Sequence, residues 1–370
     1  MNIAFDHQIF DLQRYGGVSR YFCELALHLA SMPSCRANIV APLHINEYLR
    51  TVRAPVRTTA CFMGKVPRGR RLARAFNNAT VPSLIRRSRP DIVHRTYYAA
   101  GYQAIPGAAT VITVYDMIHE RVGGYLADDA NAKGKRDAIR AADHAICISA
   151  STQRDLIEMF DVDPSKTSVV HLGFSLMPSD AAHEGSAVGT STERPFILYV
   201  GLRGGYKNFD GLLSAYAASA PLRDGFDLVC FGGGQFSVAE LAAQSALPLR
   251  AGAVRQIGGS DAVLRSLYQQ AAVLVYPSLY EGFGIPPLEA MSFGCPVVCC
   301  PVSSLPEVVG TAAAFFTADD TDSLASAIER VVGDTAYRAE LVRLGTERLA
   351  LFSWQRCAEQ TLQVYQGLLS

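Results

Sequence analysis

The sequence lacks the features that mark several common classes of protein. No apolar run approaches the length of about 18 residues that a membrane-spanning helix needs. The 9 cysteines contain no C-x-x-C pair, so the usual zinc and redox spacings are missing. Charge is balanced, because 34 Lys+Arg stand against 34 Asp+Glu. Since nucleic-acid binders usually carry a basic excess, we expect no nucleic-acid partner.

What the chain has instead is length and apolar content. Its 370 residues suit two domains, and 49% hydrophobic against 18% charged residues argue against disorder. The first six residues predict a short strand and not a signal peptide. An odd number of cysteines, most of them in apolar runs, indicates buried free thiols. We therefore expect a protein of the reduced cytoplasm.

The balanced total hides an uneven distribution of charge. Residues 1–185 carry 22 Lys+Arg and 17 Asp+Glu, a net +5, whereas residues 186–370 carry 12 and 17, a net −5. From Arg50 to Arg95 there are 12 basic residues and one acid, Asp91. An ordinary solvated helix face does not need so one-sided a composition. We interpret this basic stretch as a surface for an anionic membrane, which would place the protein peripherally at the inner face of the membrane.

Short β-branched runs alternate with amphipathic stretches, which is typical of α/β domains with parallel sheets. Residues 178–194 are small, polar and aperiodic, and they predict a linker. Before the linker we predict strands at 3–5, 37–41, 92–94, 111–114, 145–148 and 168–171, and helices at 19–30 and 132–142. After it we predict strands at 196–200, 227–231, 273–276 and 297–300, and helices at 208–219, 262–270 and 287–293.

The most informative segment follows the strand predicted at 273–276. Its sequence, SLYEGFGIPPLEA, has a glycine-rich turn and then a Pro-Pro pair, which favours a helix start. Phe283 and Gly284 would lie just before that helix, where free N–H groups attract an anion. Glu281 and Glu289 flank the turn, and two carboxylates in a desolvated pocket suit sugar hydroxyls. Alternatively, Glu281 caps the helix and Glu289 is exposed.

These residues resemble the donor-site motif of the family 4 glycosyltransferases, retaining enzymes with the GT-B fold. The Glu-x7-Glu motif stands inside SLYEGFGIPPLEAMSFGCPVV. Other segments are similar to family landmarks along nearly the whole chain: YGGVSRYFCELA, LYVGLRGGYKNFDGLL, ADHAICISASTQRDL and FSWQRCAEQTLQVY. The resemblance implies two Rossmann-like parallel-sheet domains that face a central cleft. Residues 1–177 would bind the acceptor and 195–354 the nucleotide sugar, with a C-terminal helix near 355–370 packing back on the first domain.

The resemblance also implies roles for single residues. Glu289 would bind the nucleotide ribose, and Glu281 would contact the donor sugar. The backbone of three consecutive residues would meet the sugar and diphosphate: Phe283, Gly284 and Ile285. Arg203 and Lys207 match the family's basic pair, and two fixed cations would stabilise the leaving diphosphate without a metal. As plain loop charges, the two would simply be exposed.

Further candidates follow the predicted N-terminal strands. Gly16-Gly17 would lie against the diphosphate or the acceptor, because glycine permits close backbone approach and positive φ; the alternative is a simple turn. Many family members carry a histidine where this chain has Tyr115. Asp116 and His119 are therefore the candidates for holding the sugar or polarising the acceptor hydroxyl. We interpret His94 as structural or as acceptor-side.

The resemblance thus implies a retaining hexosyltransferase, and we expect it to need no metal and no cofactor. It would move mannose or a related hexose from a GDP- or UDP-sugar to a saccharide or lipid-linked saccharide, in the synthesis of bacterial surface polysaccharides such as lipopolysaccharide. Two alternatives stay open. A nucleotide-sugar epimerase of GT-B shape would need no acceptor. A non-catalytic, two-lobed saccharide-binding protein would not need Arg203 and Lys207.

Overall fold

The computed structural model describes residues 1–64, 69–99, 104–122, 130–174 and 194–370. The chain divides into two compact units. The first unit is Met1–Gly173 together with Ser353–Ser370, and the second is Phe174–Phe352. The linker predicted at 178–194 lies outside the described residues, except for Arg194.

The first unit contains a seven-stranded sheet. Its strands are β1 (Asn2–Phe5), β2 (Arg36–His44), β3 (Arg57–Phe62), β4 (Ile92–Arg95), β5 (Ala109–Val114), β6 (His144–Cys147) and β7 (Thr167–Val169). The order across the sheet is β3-β2-β1-β4-β5-β6-β7, and the pairs are parallel. Ile3 pairs with both Ala37 and Ile92, so β1 is an inner strand. Parallel strands buried on both faces form unbroken apolar runs, which is why the sequence pattern finds most of them.

Helices connect these strands, and side chains cap several of their first turns. The helices are α1 (Gln8–Leu12), α2 (Gly17–Ser31), α3 (Glu47–Thr51), α4 (Arg70–Arg87), α5 (Ile118–Arg121), α6 (Ala130–Arg140) and α7 (Ala150–Phe160), with a 3₁₀ turn at Pro164–Lys166. The backbone N–H of Thr152 donates to Ser149 Oγ at 3.0 Å, which satisfies one of the free donors at the start of α7.

The second unit repeats the plan with six strands. They are β8 (Phe196–Val200), β9 (Asp227–Phe231), β10 (Val254–Ile257), β11 (Val273–Tyr276), β12 (Val297–Cys299) and β13 (Ala313–Phe315). Their order is β10-β9-β8-β11-β12-β13, again with parallel pairs. The helices are α8 (Phe209–Ala218), α9 (Ala220–Gly225), α10 (Val238–Ser245), α11 (Asp261–Gln270), α12 (Ile285–Ser292), α13 (Leu305–Val309), α14 (Thr321–Gly333) and α15 (Thr335–Leu349), with a 3₁₀ turn at Gly205–Lys207.

Three strands of the two sheets are absent from the sequence predictions: β3, β10 and β13. Each is the outermost strand on its side of a sheet. Strand β3 is exposed along almost its whole length, so it has no apolar run to detect. The helix predicted to begin at Ser19 begins at Gly17, and the short helix α1 lies between β1 and that point.

The last helix, α16 (Trp354–Gly367), belongs to the first unit. There His94 is fully buried and contacts two hydroxyl groups. Its Nδ1 lies 2.5 Å from the Tyr365 hydroxyl of α16, and its Nε2 lies 2.8 Å from Thr113 Oγ1. Burial lowers the pKa of His94 to about 3, so the ring is neutral near neutral pH. This burial agrees with the structural interpretation of His94, and the acceptor-side interpretation stays a prediction.

The cysteines agree with the expectation of buried free thiols. All nine are free, and only Cys61 is exposed. Burial raises the pKa of several of them, for example that of Cys147 to about 12. These thiols pack as small apolar side chains.

Lowering the pH should destabilise the first unit through His94. Its folded pKa, about 3, lies below the ordinary value of about 6.5, so the unfolded state takes up the proton first. The stability that the neutral His94 ring contributes is fully present above pH 6.5 and is lost as the pH falls toward 3. From pH 7 to pH 5 we expect a loss of about 2 kcal/mol from this group.

Denaturant unfolding at both pH values, followed by fluorescence, measures this loss. The single tryptophan, Trp354, lies in the first unit and reports on it. The variant His94→Gln should lose about 2 kcal/mol less over the same pH interval. Burial also lowers the pKa of His44, to about 4, but that contribution is common to both proteins. Equal losses in the two proteins would contradict the assignment.

Candidate active site

The strand order of the second sheet reverses between β8 and β11. Open parallel sheets bind ligands at the carboxyl ends of their strands, at this kind of reversal. The loop after β8 contains Arg203 and Lys207, and the loop after β11 contains Glu281. The backbone N–H of Leu279 donates to the carbonyl oxygen of Tyr206 at 2.7 Å, so the two loops are in contact. We call these two loops, with the first turns of α12, the candidate donor site.

An ion pair joins the two loops. Lys207 Nζ lies 2.6 Å from Glu281 Oε1, and the two side chains are 16% and 9% exposed. The ammonium also lies 5.0 Å from the ring centroid of Tyr206 and 5.6 Å from that of Tyr276. Burial and the nearby Glu281 carboxylate, to which Tyr276 is hydrogen-bonded, raise the pKa of Tyr276 well above its usual value. The structure therefore brings together two of the predicted residues, Lys207 and Glu281.

Two serines that sequence reasoning missed hold the backbone of the Glu281 loop. The N–H of Glu281 donates to Ser303 Oγ at 2.8 Å. Ser304 Oγ lies 2.9 Å from the carbonyl oxygens of both Glu281 and Phe283. Both serines follow β12, the strand next to β11, so a polar pair at a neighbouring strand end was the available signal. They fix the path of the loop toward α12.

The glycine-rich turn leads directly into α12, as predicted. Gly284 is the residue before the helix and has φ +107°, in the left-handed region that favours glycine. A Cβ at this position would also lie 2.8 Å from Leu305 Cδ2. Because Pro286 and Pro287 have no N–H, the backbone donors at this helix start belong to Gly284 and Ile285. Phe283 is buried, its ring centroid 5.7 Å from that of Phe352.

Neither alternative assignment holds for the two glutamates of the motif. No side chain caps α12, so Glu281 is not a capping residue. Glu289 is 8% exposed and not a solvated side chain. The hydroxyl of Tyr268, on α11, donates to Glu289 Oε2 at 3.1 Å. Both carboxylates are therefore held in low-solvent surroundings on either side of the helix start.

Arg203 is neither an exposed loop charge nor in contact with the Lys207–Glu281 pair. Its side chain is 4% exposed, and Nε lies 2.6 Å from Glu240 Oε1. Its guanidinium lies 4.6 Å from the ring centroid of Phe236 and donates to four carbonyl oxygens of the loop after β9: Gly232, Gly233, Gly234 and Gln235. In this structure Arg203 organises that loop. To bind a phosphate, as predicted, it would have to exchange some of these partners.

The remaining candidates lie in the first unit. Gly16 precedes α2 with φ 169°, an extended conformation that any residue adopts, so this position does not use the left-handed freedom of glycine. A Cβ on Gly16 would lie 2.2 Å from Gln13 Oε1, whereas one on Gly17 would meet nothing within 4 Å. Asp116 and His119 follow β5, as predicted, and both are half-buried.

Lys135, on α6, is a residue near Asp116 that the sequence did not indicate. Its Nζ donates to the carbonyl oxygen of Asp116 and lies 3.0 Å from Glu120 Oε2. The Asp116 carboxylate itself accepts from the N–H of Ile118 at 3.1 Å. The Lys135 side chain is 4% exposed, so these partners offset part of the cost of burying its ammonium group. The turn after β5 is held in place from within the first unit.

Within the described ranges, no group of three or more His, Cys, Asp or Glu side chains is arranged to hold a metal ion. Metal independence stays a prediction.

Two sequence profiles match the chain and cover most of it between them. Glycosyltransferase Family 4 matches residues 15–176, and Glycosyl transferases group 1 matches residues 184–348. The interval between the two matches lies close to the division into two units after Gly173.

Curated relatives agree with these profiles. The O-antigen chain mannosyltransferase B of Escherichia coli is 38% identical over 175 residues, which are 47% of this chain and 46% of that protein. The D-inositol 3-phosphate glycosyltransferase of Nocardioides sp. is 30% identical over 313 residues, 75% of this chain and 67% of that protein. The alignment thus spans less than half of the first relative and about two thirds of the second.

Among solved structures, HepE of Anabaena in complex with UDP and glucose has a TM-score of 0.71 to this chain at 17% identity, over 99% of each chain. At that identity the likeness shows the fold. The predicted fold class, a GT-B protein with two Rossmann-like parallel-sheet domains, is confirmed.

Removing Lys207 alone should cost more stability than removing both charges of the pair. The variant Lys207→Met leaves the Glu281 carboxylate buried without its cation, and we expect a loss of about 3 kcal/mol. The double variant Lys207→Met/Glu281→Gln should recover part of that loss. Denaturant unfolding followed by circular dichroism, analysed as a double-mutant cycle, tests this. Strictly additive losses would show that the pair has no coupling.

Proposed function

The chain belongs to family 4 of the glycosyltransferases, and we propose that it transfers a hexose from a nucleotide sugar to a saccharide acceptor with retention of configuration. The observation that carries this proposal is the Lys207–Glu281 pair, which stands beside the start of α12 where the strand order reverses. That position offers a cation, backbone donors and carboxylates to one ligand.

The chemistry of a nucleotide sugar fits these groups. The N–H groups of Gly284 and Ile285 and the ammonium of Lys207 suit a diphosphate. The carboxylate of Glu289, with one oxygen near the Tyr268 hydroxyl, suits a ribose diol. Glu281 suits the hydroxyls of the donor sugar. We assign the nucleotide to the second unit on this basis.

Catalysis would come from a cation placed where negative charge develops in the transition state. As the glycosidic bond breaks, the nucleoside diphosphate gains negative charge, and Lys207 would stabilise it more in the transition state than in the ground state. Arg203 would add a second cation if it exchanges carbonyl partners of the loop after β9. The departing phosphate would take the proton of the attacking hydroxyl on the same face of the sugar, which gives retention. Asp116 and His119 are the candidates to hold the sugar or orient that hydroxyl.

The names of the relatives guide the choice of sugar. The Escherichia coli relative is described as an O-antigen chain mannosyltransferase, and HepE was solved with UDP and glucose. We propose mannose or a related hexose, delivered from a GDP- or UDP-sugar, and an acceptor that is a saccharide or lipid-linked saccharide of a surface polysaccharide.

A screen of nucleotide sugars tests the donor assignment. GDP- or UDP-hexose should raise the melting temperature of the protein more than dTDP- or ADP-sugars do.

The variants Lys207→Ala and Glu281→Gln should lower transfer at least about 100-fold, because each removes a group that contacts the leaving diphosphate or the sugar. The control Lys166→Ala removes an exposed lysine of the first unit and should leave transfer unchanged. Wild-type turnover in either site variant would overturn the assigned roles.

The basic stretch between Arg50 and Arg95 supports peripheral attachment to an anionic membrane. Eight of its basic side chains are exposed: Arg50, Arg53, Arg57, Arg71, Arg74, Arg86, Arg87 and Arg89. Arg95 is an exception, since it is buried and donates to the carbonyl oxygens of Ala138 and Ala99. Lys65 and Arg68 lie outside the described residues. No helix in the described parts of the chain has the length and apolarity to cross a membrane.

Helix α4 adds apolar groups to this basic surface. Leu72 is 76% exposed and Phe76 is 50% exposed, one helical turn apart, next to the exposed Arg71. Exposed apolar side chains beside arginines are typical of helices that lie in the interface of an anionic bilayer. We propose that α4 makes this contact.

Sedimentation with phosphatidylglycerol vesicles tests the membrane contact. Each arginine near an anionic surface contributes about 1 kcal/mol, so Arg71→Glu should weaken binding roughly tenfold or more. Phe76→Ser should weaken it in high salt as well, where charges are screened. Arg343→Glu and Leu241→Ser are the matched controls, because they change an exposed arginine and an exposed leucine of the second unit. If neither Arg71→Glu nor Phe76→Ser weakens vesicle binding, the contact is refuted.

A further inference from the structure

Arg203 joins two loops at the carboxyl edge of the second sheet. It lies in the loop after β8, four positions before Lys207, and its guanidinium enters the loop after β9. The N–H of Gly201 donates to the carbonyl oxygen of Phe231 at 3.0 Å, so the two loops touch where their strands end. Any restraint that Arg203 places on the loop after β8 therefore acts on the loop that carries Lys207.

The loop after β9 is shaped around the Arg203 side chain. The carbonyl oxygens of residues 232–235 lie 3.0–3.4 Å from guanidinium nitrogens. This convergence uses three consecutive glycines with φ of +85°, +69° and +72°, in the left-handed region. A Cβ on Gly233 would lie 2.7 Å from Arg203 Nη1 and 2.9 Å from the carbonyl oxygen of Gly201. The absence of a side chain there lets the loop close on both the cation and the loop after β8.

Glu240 holds the same guanidinium from α10. Its Oε1 lies 2.6 Å from Arg203 Nε, and its Oε2 accepts from the N–H of Ser237 at 2.6 Å. Ser237 Oγ accepts in return from the N–H of Glu240 at 3.2 Å, which makes a capping box. One carboxylate thus caps α10 and fixes the cation. We call this arrangement of Arg203, Glu240 and residues 232–235 the Arg203 clamp.

The clamp leaves Arg203 little freedom to serve a ligand. Its side chain is 4% exposed, whereas that of Lys207 is 16% exposed. To turn toward a diphosphate, the guanidinium would have to leave a carboxylate and four carbonyl groups that were arranged around it. Because breaking a buried ion pair is strongly destabilising, a diphosphate would have to replace all of these interactions. The geometry favours an arginine that stays in place.

We propose that Arg203 is a positioning residue, which holds the loop after β8 so that Lys207 meets the leaving diphosphate. It keeps its carbonyl partners when a ligand binds and does not become a second cation. The path to the candidate donor site is short, since the N–H of Lys207 donates to the carbonyl oxygen of Gly204, and that of Leu279 donates to the carbonyl oxygen of Tyr206. The role at the diphosphate rests on the proposed function, whereas the clamp can be measured without turnover.

Glu240→Gln is the deciding variant. The single amide oxygen can cap α10 or face Arg203 but cannot do both, so the clamp loosens while the side chain keeps its size. Transfer from the nucleotide sugar should then fall about fivefold, mainly in kcat, because Lys207 acts most strongly in the transition state. If Arg203 had to leave Glu240 to bind the diphosphate, the same variant would leave transfer unchanged or raise it. Glu340→Gln, which removes the exposed partner of Arg343 on α15, is the matched control and should leave transfer unchanged.

Two neighbouring glycines give a second test that changes no charge. Gly233→Ala and Gly234→Ala carry similar backbone strain, because φ is +69° and +72° at the two positions. A Cβ at position 233 would collide with Arg203 and Gly201, whereas one at position 234 would meet nothing within 4 Å. Gly233→Ala should therefore lower transfer about fivefold more than Gly234→Ala does. Circular dichroism of each variant checks that the protein is folded.

Hydrogen exchange followed by mass spectrometry measures the clamp itself. The N–H groups of Lys207 and Leu279 should exchange about fivefold faster in Glu240→Gln than in the wild type. Faster exchange, with no transfer by the wild type from any nucleotide sugar, would refute the proposed function and leave the clamp. Unchanged exchange in Glu240→Gln, or transfer at or above the wild-type rate despite faster exchange, would overturn the positioning role and leave the transferase proposal.

Discussion

The parallel direction of the strands decides where the functional loops of this chain lie. In a parallel sheet every strand ends at the same edge, so loops that are distant in sequence become neighbours there. The reversal of strand order between β8 and β11 gathers Lys207 and Glu281, which are 74 positions apart. The reversal between β1 and β4 gathers His7 and Tyr97 in the same way. In both units, one topological rule thus brings polar residues together at the ends of strands.

Local sequence chemistry predicts the parts of the structure that depend on near neighbours. Inner strands such as β8 and β11 are unbroken apolar runs, and the Pro-Pro pair after the glycine-rich turn lies in the first turn of α12. Edge strands such as β3 have no buried face and leave no such pattern. The family resemblance indicated the residues of the candidate donor site, but their partners depend on contacts between distant segments. Arg203 looks like Lys207 in sequence, yet its fixed position comes from Glu240, 37 positions away.

Lys207 and Arg203 show how one loop uses two cations differently. Both are paired with a glutamate, Lys207 with Glu281 and Arg203 with Glu240. Glu281 is itself a candidate ligand for the sugar, and in this structure its carboxylate balances the charge of Lys207. A diphosphate would therefore compete with a carboxylate for Lys207, and affinity depends on the difference between the two interactions. Arg203 has more partners to lose and is the more costly of the two to redirect.

The return of α16 to the first unit has a consequence for how the protein is made. His94 contacts Tyr365, which is 271 positions later in the chain. A ribosome must therefore synthesise the whole second unit before the first can close its interior around that histidine. During this interval the second unit, continuous from Phe174 to Phe352, can fold first, although the first is translated earlier. The first unit is therefore the first to be translated and the last to be completed.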